Sequence, residues 1–537
     1  MPPRPLRAFI SRIKRELPGV AVAGVVYEVP RPKTFRERMG RIFRNLAVPA
    51  YRSYVLRRLL KALQSRLAAV GSWFLYFIHA YRPEPAPDQD SLNTLNAACE
   101  DVGSALFITQ DIHGSDVLDF VKKMRPDLGI IYGTRILKPE LFTIPTQGSI
   151  NIHKRKLPDY RGGGPVGLWE LLDGQKEIGI TVHTVEKAVD AGSILRTATI
   201  PIEQYETLSS LGLKAHVVGD DLLLQTIADF VHGSVVATPQ QGPSKLFKTP
   251  KVHDLENLRR QVARERPGYM PVRGRPTWKL LLRSIVLAPY VAFRNWVRRL
   301  RKSFPLVILY HHLVTERPHH VGIPTDLFVR HIKFLRKHYK LVSLSEGLQA
   351  LKSGGLGAPM VAVSFDDGYR ENFLNLRAAA VEVDFSGALF VCSQKLEKQE
   401  EFEHDIRRGE LGFLPFTWQQ LCALSADGFE LGSHTRTHFD CGSGDIQALA
   451  DEIVGSKQEL EQRLGVPITL FSFPWGKPAN MSESAIRLAT ANYPSVFSAK
   501  GHAIHPNAKL PLVLDRVGHP NDLWELELNL QSILEFD

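Results

Sequence analysis

The chain has 537 residues, too many for one ordinary core, so its length predicts two to four domains. Hydrophobic residues make up 44% and charged residues 23%, a balance that excludes a disordered or fibrous protein. The net charge of +11 is uneven: residues 1–82 carry roughly +14 and residues 251–303 roughly +11, leaving about −14 for the rest.

No DNA- or RNA-binding motif accompanies the basic segments, so no nucleic acid partner is expected. Both interleave basic with aromatic and aliphatic residues, which fits contact with an anionic membrane surface or lipid; a solvated basic face plus a linker is the alternative. No apolar run reaches the roughly 18–20 residues of a spanning helix. The start, MPPRPLRAF, has no apolar region leading to a small-residue cleavage site. A cytoplasmic location is therefore expected, peripheral at the inner face of the membrane if the basic segments bind there. Cys99, Cys392, Cys422 and Cys441 form no CxxC pair, which favours free thiols in a reducing compartment.

In chain order, RAFISRIKREL reads as a helix and Val20–Tyr27 as a strand, with a basic helical insertion at about 36–80. Short apolar runs at Ala105–Thr109, Leu128–Tyr132, Ser149–His153, Ile178–Val185 and Ile194–Ile200 predict strands, and residues 205–232 one long helix. This alternation predicts an α/β sheet domain over residues 1–250. Residues 251–303 contain a Pro/Gly-rich hinge, then Trp278, Leu282, Ile285, Val286, Phe293 and Trp296 near helical spacing, with a kink expected at Pro289. They are read as a basic amphipathic linker that lies on a membrane or packs on a neighbour. Over residues 304–537, strands are predicted at Leu306–Tyr310, Val361–Phe365, Gly387–Val391, Phe429–Gly432, Ile468–Phe473 and Ser495–Ala499. Repeated β/α units with polar residues at strand ends predict a barrel with its site on the C-terminal rim.

On a strand, Asn151 and His153 project to the same face. A neutral histidine can take a proton from an attacking amine while an adjacent amide donates to a developing oxyanion, and Asp190 could orient or charge-stabilise the imidazole. The pattern N-x-H-x-x-x-L-P-x-Y-R-G-G-x-P, followed by GITVH and VDAGSIL, closely resembles the 10-formyltetrahydrofolate-dependent formyltransferases. The resemblance covers roughly residues 100–250. It implies a Rossmann-like sheet domain, catalysis by Asn151, His153 and Asp190, substrate contacts at Arg161 and Gly162, and a pocket for 10-formyltetrahydrofolate near Arg135, Ile136 and Leu137. Relative to that family the chain starts one element late and lacks a tRNA-binding C-terminal barrel, which argues against initiator tRNA as substrate.

Further on, SFDDG places paired carboxylates after a buried strand, where adjacent like charges call for a cation. HTRTH supplies imidazoles at i and i+4, facing one ion if the segment is helical. One carboxylate with two histidines makes a three-ligand site with room for water, and the other carboxylate is free to act as general base. His311, His312, His319 and His320 are read as non-ligands. LVILYHHLV, VAVSFDDGYRENF, FELGSHTRTH and FSFPWG match the polysaccharide deacetylase family across residues 304–520. That resemblance implies a distorted (β/α) barrel, Asp366 as base, and Asp367, His434 and His438 as ligands of a divalent metal, zinc above all. It places Pro474 and Trp475 in the wall of an acetyl or sugar pocket, Arg516 as a residue that orients the base or meets substrate, and His519 as the acid.

Formyl transfer makes an amide on a sugar amine and deacetylation frees one. The joint expectation is a bifunctional enzyme acting on a nucleotide-linked or lipid-linked amino sugar. The alternatives are a deacetylase carrying a degenerate formyltransferase-like binding module, or a membrane-recruited scaffold.

Overall fold

A computed structural model of the protein describes residues 3–29, 52, 92–265, 278–353, 356–506, 510–520 and 523–530. The described elements fall into two compact units, one ending with the helix Val252–Glu265 and the other beginning with the helix Trp278–Arg301. Apart from Arg52, the insertion expected at about 36–80 lies outside the described residues, as does the hinge at 266–277.

The first unit runs α1 (Pro3–Glu16), β1 (Gly24–Glu28), α2 (Leu92–Asp101), β2 (Ala105–Thr109), α3 (Ser115–Met124), β3 (Gly129–Ile131), β4 (Ser149–His153), β5 (Glu177–Thr184), β6 (Ile194–Pro201), α4 (Leu208–His232) and α5 (Val252–Glu265). β1 and β2 pair in parallel. A four-stranded sheet has the order β3-β4-β5-β6, with β3 parallel to β4 and the other pairs antiparallel. The stretch between Thr184 and Ile194 is too short for the crossover that a parallel pair needs, so β5 and β6 turn back on each other. Ile150, Ile178, Ile180 and Val182 alternate inward and pack on Leu211, Ala215 and Leu223 of α4. Thr207 caps that helix through a capping box with Ser210. A Cβ at Gly219 would sit 2.2 Å from Ile152 Cδ1, so its bare backbone lets α4 lie against β4.

The second unit opens with α6 (Trp278–Arg301), which contains Pro289 without ending there. Then come β7 (Leu306–His311), α7 (Thr325–His338), β8 (Met360–Phe365), α8 (Glu371–Glu382), β9 (Ala388–Val391), β10 (Glu430–Ser433), β11 (Leu470–Ser472), β12 (Ser495–Phe497) and β13 (Val517–Gly518). They form one curled, all-parallel sheet in the order β12-β11-β10-β9-β8-β7-β13, with Lys340–Leu341 also paired to β8. Every residue of β8 is buried, as expected of a parallel strand covered on both faces. Asp366 and Asp367 follow β8, His434 follows β10 and Phe473 follows β11, so the candidate ligands gather at the C-terminal ends of neighbouring strands.

Candidate active sites

In the first unit the parallel-to-antiparallel strand β4 presents Asn151 and His153 to one cavity of about 1050 Å³, which Asp190 and Gly162 also line. Arg135, Ile136 and Leu137 line the same cavity. His153 Nε2 donates to the Tyr160 carbonyl at 2.6 Å, which leaves its Nδ1 lone pair 3.6 Å from Asp190 Oδ2. Burial lowers the pKa of His153, against the pull of Asp190, so the imidazole is poised neutral. Asp190 has a left-handed φ of 50° and accepts the Gly162 amide at 2.9 Å. Gln240 donates to the carbonyls of Asp190 and Gly192, and Arg161 donates to Gln240 Oε1 at 2.7 Å. Arg161 and Gly162 therefore brace the Asp190 turn; Arg161, expected at the substrate, is not among the residues lining the cavity.

Two groups here escaped the sequence reading. His183, on β5 opposite Asn151, donates through Nδ1 to Thr184 O and accepts from Asn151 Nδ2 at 3.1 Å, which fixes the amide. Lys154, also in the cavity wall, starts a buried chain: its Nζ donates to His216 Nδ1 at 2.5 Å, His216 Nε2 meets the Tyr132 hydroxyl at 2.9 Å, and that hydroxyl donates to Asp220 at 2.8 Å. Burial raises Asp220 to about 7 and lowers His216 to about 3. Only the GITVH string hinted at His183; the Lys154 chain joins segments too far apart in sequence to show a pattern.

In the second unit Asp367, His434 and His438 each bring one ligand atom within 4.8 Å of the others. Asp367 Oδ1 is 3.2 Å from His438 Nε2 and 3.5 Å from His434 Nε2. His434 Nδ1 donates to the Ser472 carbonyl at 2.8 Å, which turns its Nε2 lone pair to Asp367. Both oxygens of the buried Asp367 lack a hydrogen-bond partner. A buried carboxylate without a donor and two inward-facing imidazoles fit a divalent cation. The HTRTH segment is not a helix, contrary to the i, i+4 condition; left-handed Thr435 (φ 66°) and His438 (φ 66°) fold it so that both rings still converge.

Asp366 is held differently. Arg516 donates from Nη1 to Asp366 Oδ1 at 2.6 Å and from Nη2 to Oδ2 at 2.7 Å. Its remaining donors go to Ser364, Ser472 and the Ser498 carbonyl. Burial alone would raise the Asp366 carboxyl, but Arg516 and then His434 hold it below the usual range. Arg516 is fully buried and all five of its donors are engaged within the protein, so it holds Asp366 and has no donor to spare. Pro474 is buried, while Trp475 is exposed and stands edge-on to His438 at 4.4 Å between ring centroids. His519 lies elsewhere: its Nε2 is 2.5 Å from His331 Nδ1 and its ring 3.6 Å from that of His311. The imidazole that acts electrostatically on both Asp366 and Asp367, besides the two ligand histidines, is His312.

Fold and sites define a chain of two enzyme domains with unrelated chemistry. The Formyl transferase family matches residues 89–227 and the Polysaccharide deacetylase family residues 353–493. The chain thus joins a formyl transferase domain to a polysaccharide deacetylase domain. Among curated relatives, it is 31% identical over 162 residues to methionyl-tRNA formyltransferase of Listeria monocytogenes, covering 30% of this chain and 50% of the relative. It is likewise 31% identical over 176 residues to that of Staphylococcus aureus strain Newman, covering 32% and 54%. The chain spans about half the length of these relatives. Similar solved structures include Streptococcus pyogenes deacetylase PplD in complex with acetate (18% identity, TM-score 0.36, 43% of this chain and 98% of that one). Another is the formyltransferase PseJ from Anoxybacillus kamchatkensis in complex with a UDP-4-formamido sugar and tetrahydrofolate (18% identity, TM-score 0.25, 29% and 82%).

Proposed function

We propose that the chain is a bifunctional amino-sugar enzyme that transfers a formyl group from 10-formyltetrahydrofolate to a sugar amine and hydrolyses an N-acyl group in a metal-dependent second site. The observation that carries this reading is the completeness of both constellations, each at the strand ends of its own unit. A nucleotide-linked or lipid-linked amino sugar is the proposed substrate, and the domain limits proposed are residues 1–250 and 304–537 with the basic linker between them.

In the first site the folate supplies the formyl group. The Asn151 amide, held by His183, donates to the carbonyl oxygen as negative charge develops there. His153 Nδ1 takes the proton of the attacking amine, Asp190 stabilises the imidazolium that results, and as the formyl C–N10 bond breaks that proton passes to the departing N10 of the folate. The cavity wall at Arg135–Leu137 is the proposed folate contact.

In the second site Asp367, His434 and His438 would hold the divalent ion, zinc in the first instance. When bound it polarises the acyl carbonyl and acidifies water. Asp366, kept ionised and aimed by Arg516, takes the proton of the attacking water. His312 takes over the acid role that the sequence reading gave to His519, passing a proton to the departing amine. Trp475 covers one side of the ligand cluster, where it can hold the sugar.

Membrane attachment is proposed through α6. Val286, Tyr290, Phe293, Trp296 and Leu300 are exposed at helical spacing along it, whereas Ala288, Val291 and Asn295 face inward. No described helix is long and apolar enough to cross a membrane. An apolar stripe on a basic helix suits an anionic bilayer surface. Co-sedimentation of the full chain with anionic vesicles, absent with zwitterionic ones, is the expected result; equal absence from both removes this attachment.

The bifunctional reading is tested by mass spectrometry of N-acetylated and free-amine nucleotide sugars incubated with the protein, with and without 10-formyltetrahydrofolate and zinc. Formyl product that vanishes in His153→Ala and acetate that vanishes in His434→Ala are expected. Acetate without formyl product from any free amine would reduce the first unit to a binding module.

A further inference from the structure

Beside the Asp367 cluster lies a second convergence of metal-ligating groups, partly built from histidines that the sequence sets aside. His319 and His320 sit on the loop after Val314; Asp405 and Glu410 lie on and after the short helix Glu403–Ile406. One ligand atom from each of the four lies within 4.8 Å of the others. His319 Nε2 is 3.1 Å from Asp405 Oδ1 and 3.5 Å from Glu410 Oε2, and His320 Nδ1 is 2.5 Å from Glu410 Oε2.

Ion pairing alone does not satisfy these groups. Asp405 is wholly buried, as is the His319 imidazole; Asp405 Oδ1 has His319 Nε2 at 3.1 Å and His404 Nε2 at 3.4 Å as ion-pair contacts, but neither Asp405 Oδ1 nor His319 Nε2 has an aligned hydrogen bond. The two atoms are near enough to bond but not aligned to do so. The other oxygen of Asp405 is already satisfied, by the Tyr369 hydroxyl at 2.7 Å. Two unmated buried atoms pointing at a common space are costly unless something shared fills it. Two carboxylates and two neutral imidazoles offer a charge of −2, and mixed nitrogen and oxygen donors suit zinc, manganese, iron, cobalt or nickel better than magnesium or calcium. The Val321 amide faces His319 Nδ1 at 3.4 Å, so coordination through Nε2 moves the ring proton to Nδ1 at the expense of that long contact only.

We propose that His319, His320, Asp405 and Glu410 form a second divalent-cation site, separate from the one at Asp367. His404 stands between the two: its Nε2 is 3.4 Å from Asp405 Oδ1 and 3.9 Å from Asp367 Oδ2. The Tyr369 hydroxyl, which holds Asp405, also meets His404 at 2.9 Å. A cation on the second cluster therefore fixes Asp405 and, with it, the adjoining His404 beside Asp367, and acts as a positioning element for the first cluster. The inference does not depend on what the first site hydrolyses.

The test counts zinc. Full-length protein stripped with a chelator is equilibrated with Zn²⁺ and the bound metal is measured after gel filtration. Two equivalents are expected in the wild type, one in Asp367→Asn and one in Asp405→Asn. Glu410→Gln, at a half-buried loop position that should tolerate the change, is expected to weaken one equivalent by about tenfold or more. The proposal is overturned if the wild type holds a single equivalent that disappears in Asp367→Asn while Glu410→Gln titrates as the wild type. A single equivalent that survives Asp367→Asn and is lost in Glu410→Gln would uphold the second site and overturn the first. No bound zinc overturns both.

Discussion

Arg516 reaches Asp366 with both ends of its guanidinium, a fork that lysine cannot reproduce. Arg516→Ala leaves a buried carboxylate without its counter-charge and should cost about 3–5 kcal/mol, read as a lowered thermal midpoint of the second unit. Arg516→Lys keeps a charge but loses the fork, so the pKa of Asp366 rises and the acid limb of the deacylation pH profile moves toward neutral. The linkage has a definite sign. Asp366 has a lower pKa folded than unfolded, so the pair's stabilisation is present above about pH 4 and is lost as pH falls through the folded value. Asp220 in the first unit behaves oppositely. Its folded pKa is raised to about 7, so its contribution is best at acid pH and declines as pH rises from about 4 to 7. Asp220→Asn should flatten that part of the first unit's thermal stability profile; an unchanged slope would show that Lys154 keeps Asp220 ionised throughout. At the formyl site, His153→Ala should lower single-turnover formyl transfer by about 10²–10⁴-fold.

At the scale of elements, both sites depend on unusual backbone at strand ends. Asp190, Asp367, Thr435, His438 and Trp475 are five of the eight described non-glycine residues with left-handed φ. Such conformations persist only where the surrounding contacts enforce them. Gly192 makes the same point by close approach: a Cβ there would lie 1.8 Å from the Thr184 carbonyl. Gly192→Ala should therefore part β5 from the turn carrying Asp190, costing about 2–3 kcal/mol and abolishing formyl transfer while deacylation persists. This dependence also explains what could be read in advance. The strands were legible because buried β segments write themselves as short apolar runs, and SFDDG and SINIH mark where two of them end. Whether HTRTH is helical was left open by the sequence, since the turn at Thr435, whose hydroxyl accepts the Phe439 amide, is held by Glu452 from a later helix. The sequence did not show that His312 acts electrostatically on both carboxylates or that His519, after β13, joins a cluster with His311 and His331, because folding alone brings these residues together.

For the whole molecule, each unit holds its own complete set of candidate catalytic groups. His153→Ala is therefore expected to leave acetate release within about twofold of the wild type, and His434→Ala to leave formyl transfer equally intact; loss of both activities in either variant would show that the sites work only together. Two compact units fall within the two to four domains that the length predicts. The buried Lys154 chain and the His319 cluster were not legible in the sequence, because each is assembled by folding from stretches that carry no shared spacing.

The second site is also unequal in what it can change. Asp366 is held by a guanidinium with no donor to spare, so inherited variation at Arg516, Ser364 or Ser472 meets a steep loss of stability. Trp475 is 47% exposed and meets the cluster in a T-shaped contact with the His438 ring. Descendants of this chain, natural or made in the laboratory, could therefore replace that one aromatic, and with it the outer face of the site, while the Asp366–Arg516 pair beneath stays fixed.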